Sequence, residues 1–245
     1  MPLFPRGAKP LPMSSNEPDF PDFRILVQAR MSSRRFPGKV LAPLAGRPVI
    51  ERVLSGLGRA FGVERVVLAT SDAASDDPLA GFGVALGYAV HRGPLDHVLL
   101  RYQEGARAYP ARWIVRVCGD SPFLDSAVIA RLLRACDAQS DLVTNVAPRT
   151  FPPGQSVEII RASALLAIDA GALDAQAAEH PTQVFYRDPV RFCIRNLASP
   201  RACDADESWV VDTLDDLRRL EAVLESGNGP RPFAIAPADC ADAAA

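Results

Sequence analysis

The feature that most constrains the fold of this chain is an alternation of short apolar runs with helix-forming segments along its first half. Strands are predicted at residues 24–29, 65–69, 88–90 and 112–117, and helices near 48–60, 76–86 and 95–108. Strands separated by helices are typical of a mostly parallel sheet with helices on both faces. The predicted fold class is therefore α/β.

Past residue 140 the order of the elements changes. Further strands are predicted at residues 141–143, 157–160, 191–194 and 209–211, and helices near 162–174 and 179–187. We expect this half to extend the same sheet as a mixed sheet and to carry the recognition of a second substrate. Residues 1–22 are predicted to form a flexible proline-rich leader, 23–236 a single domain, and 237–245 a flexible tail.

The charge balance limits the partners of the chain. Its 27 basic and 29 acidic side chains give a formal net charge of −2, which argues against a general binder of nucleic acids or membrane surfaces. The sequence has no apolar run long enough to span a bilayer and no signal pattern at its start, so we expect a cytoplasmic protein. The five cysteines lack the paired spacing of a zinc site, and we expect Cys118 to pack in the interior.

A cluster of cations follows the first predicted strand. Residues 28–39 read Gln-Ala-Arg-Met-Ser-Ser-Arg-Arg-Phe-Pro-Gly-Lys and are called the basic loop below. The Pro-Gly pair predicts a turn that prevents a helix from starting at once. Arg30, Arg35 and Lys39 would then leave the carboxyl edge of a parallel sheet, where such sheets usually bind ligands. Their charges suit phosphate oxygens, and a solvated basic loop is the alternative.

Two aspartates follow apolar runs elsewhere in the chain. Asp120 comes after the strand predicted at 112–117, and Asp212 directly follows the strand predicted at 209–211. Carboxylates beside a triphosphate need a cation between them, so this pair indicates Mg²⁺. Alternatively, Asp120 caps the helix that begins near Asp125 or closes a turn. The acidic residues after Asp212 are explained by the next helix, which is predicted to begin with a capping box of Thr213 as its N-cap and Asp216 in its first turn.

Together with two other segments, these motifs resemble a known family. The motifs are the basic loop, 41–50 (LAPLAGRPVI), 92–96 (RGPLD), 119–122 (GDSP) and 211–213 (VDT). In this order they resemble the cytidylyltransferase family, which includes CMP-Kdo synthetases, CMP-sialic acid synthetases and the spore-coat polysaccharide biosynthesis protein F type, to which the chain is most similar. The resemblance covers roughly residues 24–225. It implies a Rossmann-like nucleotidyltransferase fold, CTP and Mg²⁺, and commonly a homodimer.

The resemblance also implies roles for individual residues. The implied nucleotide-binding residues are Gln28, Ala29, Arg30, Ser33, Arg35 and Lys39, with Thr70, Ser71 and Asp72 near the nucleotide and Arg92 and Asp96 near the base or the acceptor. Arg30, Arg35, Lys39 and Asp120 are the implied catalytic residues, and Asp120 and Asp212 the implied metal ligands. Acceptor contacts are expected from Ser156, Glu158 and His180.

Some positions depart from the family pattern. Arg34 stands where a small hydroxylated residue is usual, and Ser156 where an aspartate is common. Glu158 reads equally well as the exposed member of an alternating strand, and His180 as a cap or surface residue. These positions leave the acceptor open among an acidic sugar, a sugar phosphate and a phosphonate.

The reaction that these features predict is attack by an acceptor oxygen on the α-phosphorus of CTP, with release of pyrophosphate. Two alternatives stay open on the sequence. A GT-A-type glycosyltransferase uses a similar sheet and a metal but typically has an Asp-x-Asp pair, whereas residues 119–121 supply a single carboxylate. A non-catalytic nucleotide-binding protein would keep the fold without turnover.

Overall fold

The computed structural model describes residues 20–203, 207–227, 229 and 233 of the chain. Residues 1–19 of the predicted leader and the whole of the tail predicted at 237–245 lie outside the described residues. No helix in the described ranges has both the length and the apolar character needed to cross a membrane.

The strands form one large sheet and a small ribbon. Their bounds are β1 Phe23–Gln28, β2 Pro43–Leu44, β3 Arg47–Pro48, β4 Val66–Ser71, β5 Ala89–Gly93, β6 Trp113–Cys118, β7 Leu142–Thr144, β8 Glu158–Arg161 and β9 Ile194–Asn196. The large sheet has the order β5-β4-β1-β6-β8-β7-β9, and β2 pairs with β3. Strands β5, β4, β1 and β6 are parallel, β8 is antiparallel to β6 and β7, and β9 is parallel to β7. The predicted mixed sheet is confirmed.

Helices cover both faces of the sheet, as predicted. Their bounds are α1 Val49–Phe61, α2 Asp77–Ala85, α3 Val98–Ala108, α4 Ser126–Arg134, α5 Ala162–Leu166, α6 Ala175–Glu179, α7 Gln183–Arg187 and α8 Leu214–Ser226. Alternate residues of β1 point to opposite faces. Ile25 and Val27 pack with α1 and α4, whereas Leu26 packs with α3. Both faces of β1 are therefore buried, which explains its continuous apolar run.

Two helices and one strand of the second half have bounds that differ from their predictions. The helix predicted at 162–174 ends at Leu166, and a separate 3₁₀ turn follows at Ala170–Ala172. The helix predicted at 179–187 is divided into α6 and α7 around Pro181, because proline lacks the N–H that a continuous helix needs. The strand predicted at 191–194 begins only at Ile194.

The strand predicted at residues 209–211 is wrong, because this segment does not join the sheet. The Trp209 N–H donates to the carbonyl of Pro153 at 2.8 Å, and the Val211 N–H to that of Asp120 at 2.9 Å. These loop partners use the hydrogen-bonding groups that a strand would offer to a neighbour, and Val211 is buried against α8. One of these partners, Asp120, lies two residues after the end of β6, so the segment is held next to the carboxyl end of that strand.

Candidate active site

A pocket of about 400 Å³ lies at the carboxyl ends of β1 and β6. Its lining includes Gln28, Ala29, Arg30, Ser33, Arg34, Arg35 and Lys39 of the basic loop, together with Cys118, Asp120, Glu179, His180 and Asp212. The structure thus brings all the predicted phosphate contacts, both predicted metal ligands and one predicted acceptor residue to one place. Four cations and three carboxylates among these residues give the lining a net charge of +1.

The basic loop is shaped by its own backbone. The N–H groups of Ser33 and Gly38 both donate to the carbonyl of Met31, at 3.0 and 2.8 Å. Gly38 has φ +75°, which glycine adopts without steric cost. The turn predicted at Pro37–Gly38 is present, but it leads directly into a 3₁₀ turn at Lys39–Leu41 instead of delaying a helix. Lys39 is therefore held at the start of regular structure.

Lys39 lies between the two strand-edge aspartates. Its Nζ donates to Asp120 Oδ2 at 2.7 Å and to Asp212 Oδ1 at 2.8 Å. Only 9% of the Lys39 side chain is exposed. Burial by itself lowers the pKa of Lys39, but the charges and hydrogen bonds of Asp120 and Asp212 outweigh it and raise the pKa above its usual value. Lys39 is a charged ammonium that neutralises part of an acidic pair.

Two arginines of the loop are paired as well. Arg35 Nη2 lies 2.8 Å from Asp212 Oδ2, and Arg30 Nη2 lies 2.8 Å from Glu179 Oε1. The hydrogen bond from Arg30 lowers the pKa of Glu179 against the opposing effect of burial. The Arg30 contact joins the basic loop to the end of α6, in the half of the chain where acceptor recognition is predicted.

The backbone around Asp120 depends on a close approach between strands. The Gly119 N–H donates to the Gln28 carbonyl at 2.8 Å. A Cβ on Gly119 would lie 2.8 Å from the Cβ of Ala29, so a larger residue does not fit without movement. Asp120 does not cap α4, because that N-cap is Asp125, whose carboxylate accepts from the Ala127 N–H. The alternative reading of Asp120 as a cap is therefore wrong.

The capping box predicted after Asp212 is confirmed. The Thr213 hydroxyl accepts from the Asp216 N–H, while the Asp216 carboxylate accepts from the Thr213 N–H. The same carboxylate accepts from the Asp212 N–H at 3.1 Å. The start of α8 therefore fixes the backbone that presents Asp212 to the pocket.

Asp76 supports the site and was missed by sequence reasoning. It is fully buried, and its carboxylate accepts from the N–H groups of Met31 at 2.7 Å and Ser71 at 3.1 Å. The hydroxyls of Thr70, at 3.0 Å, and Ser71 donate to it too. Burial alone raises the pKa of Asp76, but these hydrogen bonds lower it below its usual value. Asp76 stands at the N-cap position of α2, but its side chain makes no capping bond.

Five predicted nucleotide contacts are not part of the pocket lining. Thr70 and Ser71 are buried on Asp76, and the Asp72 N–H donates to the Gly93 carbonyl at 2.8 Å. Arg92 donates to the carbonyl of Ser71 at 2.8 Å and forms an ion pair with Asp77 at 2.6 Å. The last of the five, Asp96, is exposed before α3. Their contacts with a nucleotide stay predictions.

Glu158 belongs to a buried polar network. It is 3% exposed and is paired with Arg116 on the neighbouring strand. Tyr186 donates to its Oε1 at 2.6 Å, and burial, with the nearby Glu158 charge, raises the pKa of the tyrosine. Arg116 in turn donates to Gln28 Oε1 at 3.3 Å, which connects α7 to the pocket. The expectation that Glu158 is an exposed strand residue is wrong, and Arg116 and Tyr186 had no sequence signal.

Of the remaining predicted acceptor residues, His180 lines the pocket and Ser156 does not. His180 is exposed and lines the pocket next to Glu179. The Ser156 hydroxyl accepts from Arg149 Nη1 at 2.7 Å.

Cys118 lines the pocket, but burial raises the pKa of its thiol, which agrees with the predicted packing role.

A second pocket of about 410 Å³ lies between α1 and the loop at 121–126. Arg52 and Arg59 line it together with one carboxylate, Asp125, and Arg52 already donates to the carbonyls of Leu44 and Ala45. This lining has no second carboxylate to pair with Asp125, in contrast to the first pocket.

The carboxylates of Asp120 and Asp212 fit a divalent cation. Both have oxygens directed to a single atom, Lys39 Nζ. Mg²⁺ is commonly bound by one or two carboxylates, with water and substrate phosphates as its other ligands. In the part of the chain that the structure describes, no group of three or more His, Cys, Asp or Glu side chains is placed to hold a metal. The pair suits a cation that arrives with phosphate oxygens.

Comparison with known proteins gives consistent matches. The family model described as "Cytidylyltransferase" matches residues 24–219, which include the basic loop, Asp120 and Asp212. The "Spore coat polysaccharide biosynthesis protein SpsF" of Bacillus subtilis (strain 168) is 29% identical over 86% of this chain and 89% of its own length. A 3-deoxy-manno-octulosonate cytidylyltransferase of Anaeromyxobacter sp. (strain Fw109-5) is 34% identical over 51% of this chain and 50% of its own.

The fold also matches a solved structure. A cytidylyltransferase from Leptospira borgpetersenii serovar Hardjo-bovis (strain JB197) superposes with a TM-score of 0.79 and 26% identity, over 90% of this chain and 92% of that one. The nucleotidyltransferase fold implied by the sequence motifs is therefore confirmed.

Proposed function

Because the chain belongs to the cytidylyltransferase family, we propose that it transfers CMP from CTP to an acidic sugar, a sugar phosphate or a phosphonate and releases pyrophosphate. The observation that carries the proposal is the convergence of Arg30, Arg35, Lys39, Asp120 and Asp212 on one pocket. The similarity to a spore-coat polysaccharide biosynthesis protein supports a product used in polysaccharide biosynthesis.

The charge of the pocket supports a metal-bound triphosphate as its ligand. The lining has a net charge of only +1, because three carboxylates offset most of its cations. A triphosphate carries several negative charges, so further positive charge is needed to bind it closely. We propose Mg²⁺ as that source, held by Asp120 and Asp212. When bound, it would neutralise charge on the phosphate oxygens.

The loop cations would bind and orient the triphosphate. Arginine forks bind two phosphate oxygens at once, and the flexible lysine supplies a point charge. Arg30, Arg35 and Lys39 would hold the departing phosphates and stabilise their charge, while Gln28, Ala29 and Ser33 bind beside them. In the transfer, the bond from the acceptor oxygen to the α-phosphorus forms as the bond to the bridging oxygen of the β-phosphate breaks. A hydroxyl acceptor releases its proton in this step, a phosphate or phosphonate acceptor attacks through an oxygen that is already ionised, and pyrophosphate leaves.

The acceptor would enter from the side of α6 and α7. We propose that His180, which lines the pocket, contacts it directly. Glu158 is buried on Arg116 and Tyr186, so it would position the acceptor side of the pocket and not touch the acceptor. Ser156 stays a proposed acceptor contact. Thr70 and Ser71 would support the site through their hydrogen bonds to Asp76. We propose that Asp72, Arg92 and Asp96 lie near the nucleoside when CTP is bound.

We also propose that the protein is a cytoplasmic homodimer. The family resemblance implies the dimer, and β9 pairs only with β7 among the described strands, which leaves one edge of that strand open. Light scattering on the purified chain distinguishes a dimer from a monomer.

The test of the function is release of pyrophosphate from each of the four nucleoside triphosphates with Mg²⁺ and a panel of acidic sugars, sugar phosphates and phosphonates. We expect release with CTP, reduced about a hundredfold or more by Asp120→Asn or Asp212→Asn. Asp215→Asn is the matched control, because Asp215 lies three residues from Asp212 with a side chain that is 92% exposed. It is expected to retain full activity.

The other outcomes favour the alternatives. Transfer from a nucleotide sugar, without pyrophosphate release from any triphosphate, would favour a glycosyltransferase. Tight CTP binding without turnover across the whole panel would favour a non-catalytic nucleotide-binding protein.

A further inference from the structure

Lys39 occupies the position between two carboxylates to which the proposed function assigns a metal. We propose that Lys39 is the resident counter-cation of Asp120 and Asp212, and that this pair becomes available to a divalent cation only when a nucleoside triphosphate draws the ammonium away. The inference rests on the proposed function, from which it takes the metal and the triphosphate. It adds that metal binding depends on the nucleotide.

The contacts of Lys39 show why the two cations exclude each other. Its Nζ is 2.7 Å from an oxygen of Asp120 and 2.8 Å from one of Asp212. An ion bound directly by the same two oxygens would lie within a few ångströms of the ammonium, where the two positive charges repel strongly. With Lys39 in place, the carboxylates are already hydrogen-bonded and partly neutralised. A free divalent cation therefore gains little by entering.

The backbone of Lys39 stays in place while its ammonium can move. The residue begins the 3₁₀ turn at Lys39–Leu41, and its N–H donates to the Phe36 carbonyl at 3.2 Å. The four-carbon stem of lysine is flexible, so the ammonium can turn from the carboxylates to phosphate oxygens in the same pocket. A triphosphate supplies these oxygens and brings ligands for the metal at the same time.

Arg35 cannot take the place of Lys39 in this arrangement. Of the two described carboxylates it is paired with Asp212, and its side chain is 67% exposed, so water screens the ion pair. Without Arg35, Lys39 would still bridge both carboxylates. The effect is therefore assigned to Lys39, and Arg35→Met serves as the matched control.

The experiment measures Mn²⁺ binding to the full-length, nucleotide-free chain by the electron paramagnetic resonance signal of the free ion. Mn²⁺ is the probe because it takes oxygen ligands as Mg²⁺ does. We expect weak binding by the wild type and by Arg35→Met. Lys39→Met should bind Mn²⁺ about a hundredfold more tightly, because the competing charge is gone. The double variant Lys39→Met/Asp120→Asn should lose the gained site.

The outcomes separate the inference from the proposed function. Tight Mn²⁺ binding by the nucleotide-free wild type, abolished by Asp120→Asn, overturns the inference even if CTP is turned over. A folded Lys39→Met chain that gains no site also overturns it. If that variant does not fold, Lys39→Gln is measured instead, and the titration of the nucleotide-free wild type still decides whether metal binding needs the nucleotide. Failure of pyrophosphate release by the wild type tests the function alone.

Discussion

Replacing Asp76 with asparagine is expected to weaken both the fold and the candidate active site. The buried carboxylate of Asp76 accepts from four donors, with the Met31 N–H on Oδ1 and the other three on Oδ2. Asparagine has the same shape but only one acceptor oxygen. Its NH₂ group must therefore face either the Met31 N–H or the three donors around Ser71.

The magnitude follows from the less costly orientation. With the amide oxygen toward Ser71, the bond from the Met31 N–H at 2.7 Å is lost, and a hydrogen bond to a charged group contributes about 1.5–3 kcal/mol. The remaining three bonds lose their charge assistance. We expect a loss of about 3 kcal/mol in the free energy of unfolding, equivalent to a fall of roughly 6–12 °C in Tm for a chain of this size.

The assay is urea unfolding of Asp76→Asn and of Asp77→Asn as a matched control. Asp77 is the next residue, but its side chain is 61% exposed and forms only a surface ion pair with Arg92. Its loss is expected to cost under about 1 kcal/mol. Because Met31 belongs to the basic loop, the KM for CTP should also rise in Asp76→Asn and not in the control. Equal stability of the two variants would refute the reasoning.

The same carboxylate predicts a dependence on pH. The folded-state pKa of Asp76 is lowered, so its contribution is fully present above its unfolded pKa, about 3.9. It is lost as the pH falls through the lower folded value. Between pH 6 and about pH 3 the stability gap between wild type and Asp76→Asn should narrow. A gap that widens on acidification would contradict this sign.

Three further substitutions test other parts of the site. Glu179→Gln removes the ion-pair partner of Arg30. Because Glu179 would no longer compete with the triphosphate for Arg30, the KM for CTP should fall several-fold in steady-state kinetics. An unchanged KM would contradict this competition. Tyr186→Phe removes the 2.6 Å hydrogen bond to buried Glu158. It should cost about 2 kcal/mol in thermal unfolding, whereas a change under about 0.5 kcal/mol would contradict the network. Gly119→Ala places a Cβ 2.8 Å from the side chains of Ala29 and Ile50. The substitution should lower the free energy of unfolding by about 1–3 kcal/mol. Pyrophosphate release should fall further than the loss of folded protein explains. Unchanged turnover would contradict the close approach.

The first half of the fold was predictable because its signals are local. Strands buried on both faces read as continuous apolar runs, and β1, β4 and β6 lie within a residue or two of their predicted positions. Helices α1 and α2 lie within about two residues of theirs, because each has an apolar face against the sheet. The capping box before α8 is a four-residue pattern and is also found as predicted.

The second half was less predictable because short apolar runs do not specify a pairing partner. Residues 209–211 have strand composition, but their backbone groups bond to Pro153 and Asp120 outside the sheet. The burial of Asp76 and Glu158 depends on Met31, 45 residues away, and on Arg116, 42 residues away. A polar residue that is buried by distant elements looks like any exposed one in the sequence.

The sequence by itself determined the α/β alternation, the basic loop and the carboxyl-edge position of Asp120, because periodicity and strand ends are properties of neighbouring residues. Only the tertiary structure decided which cation meets which acid. Lys39 lies 81 residues from Asp120 and 173 from Asp212, and their contact depends on strand order and on the path of the segment before α8. The cations of the basic loop thus form specific ion pairs. Lys39 bridges Asp120 and Asp212, and Arg30 joins the loop to α6 through Glu179.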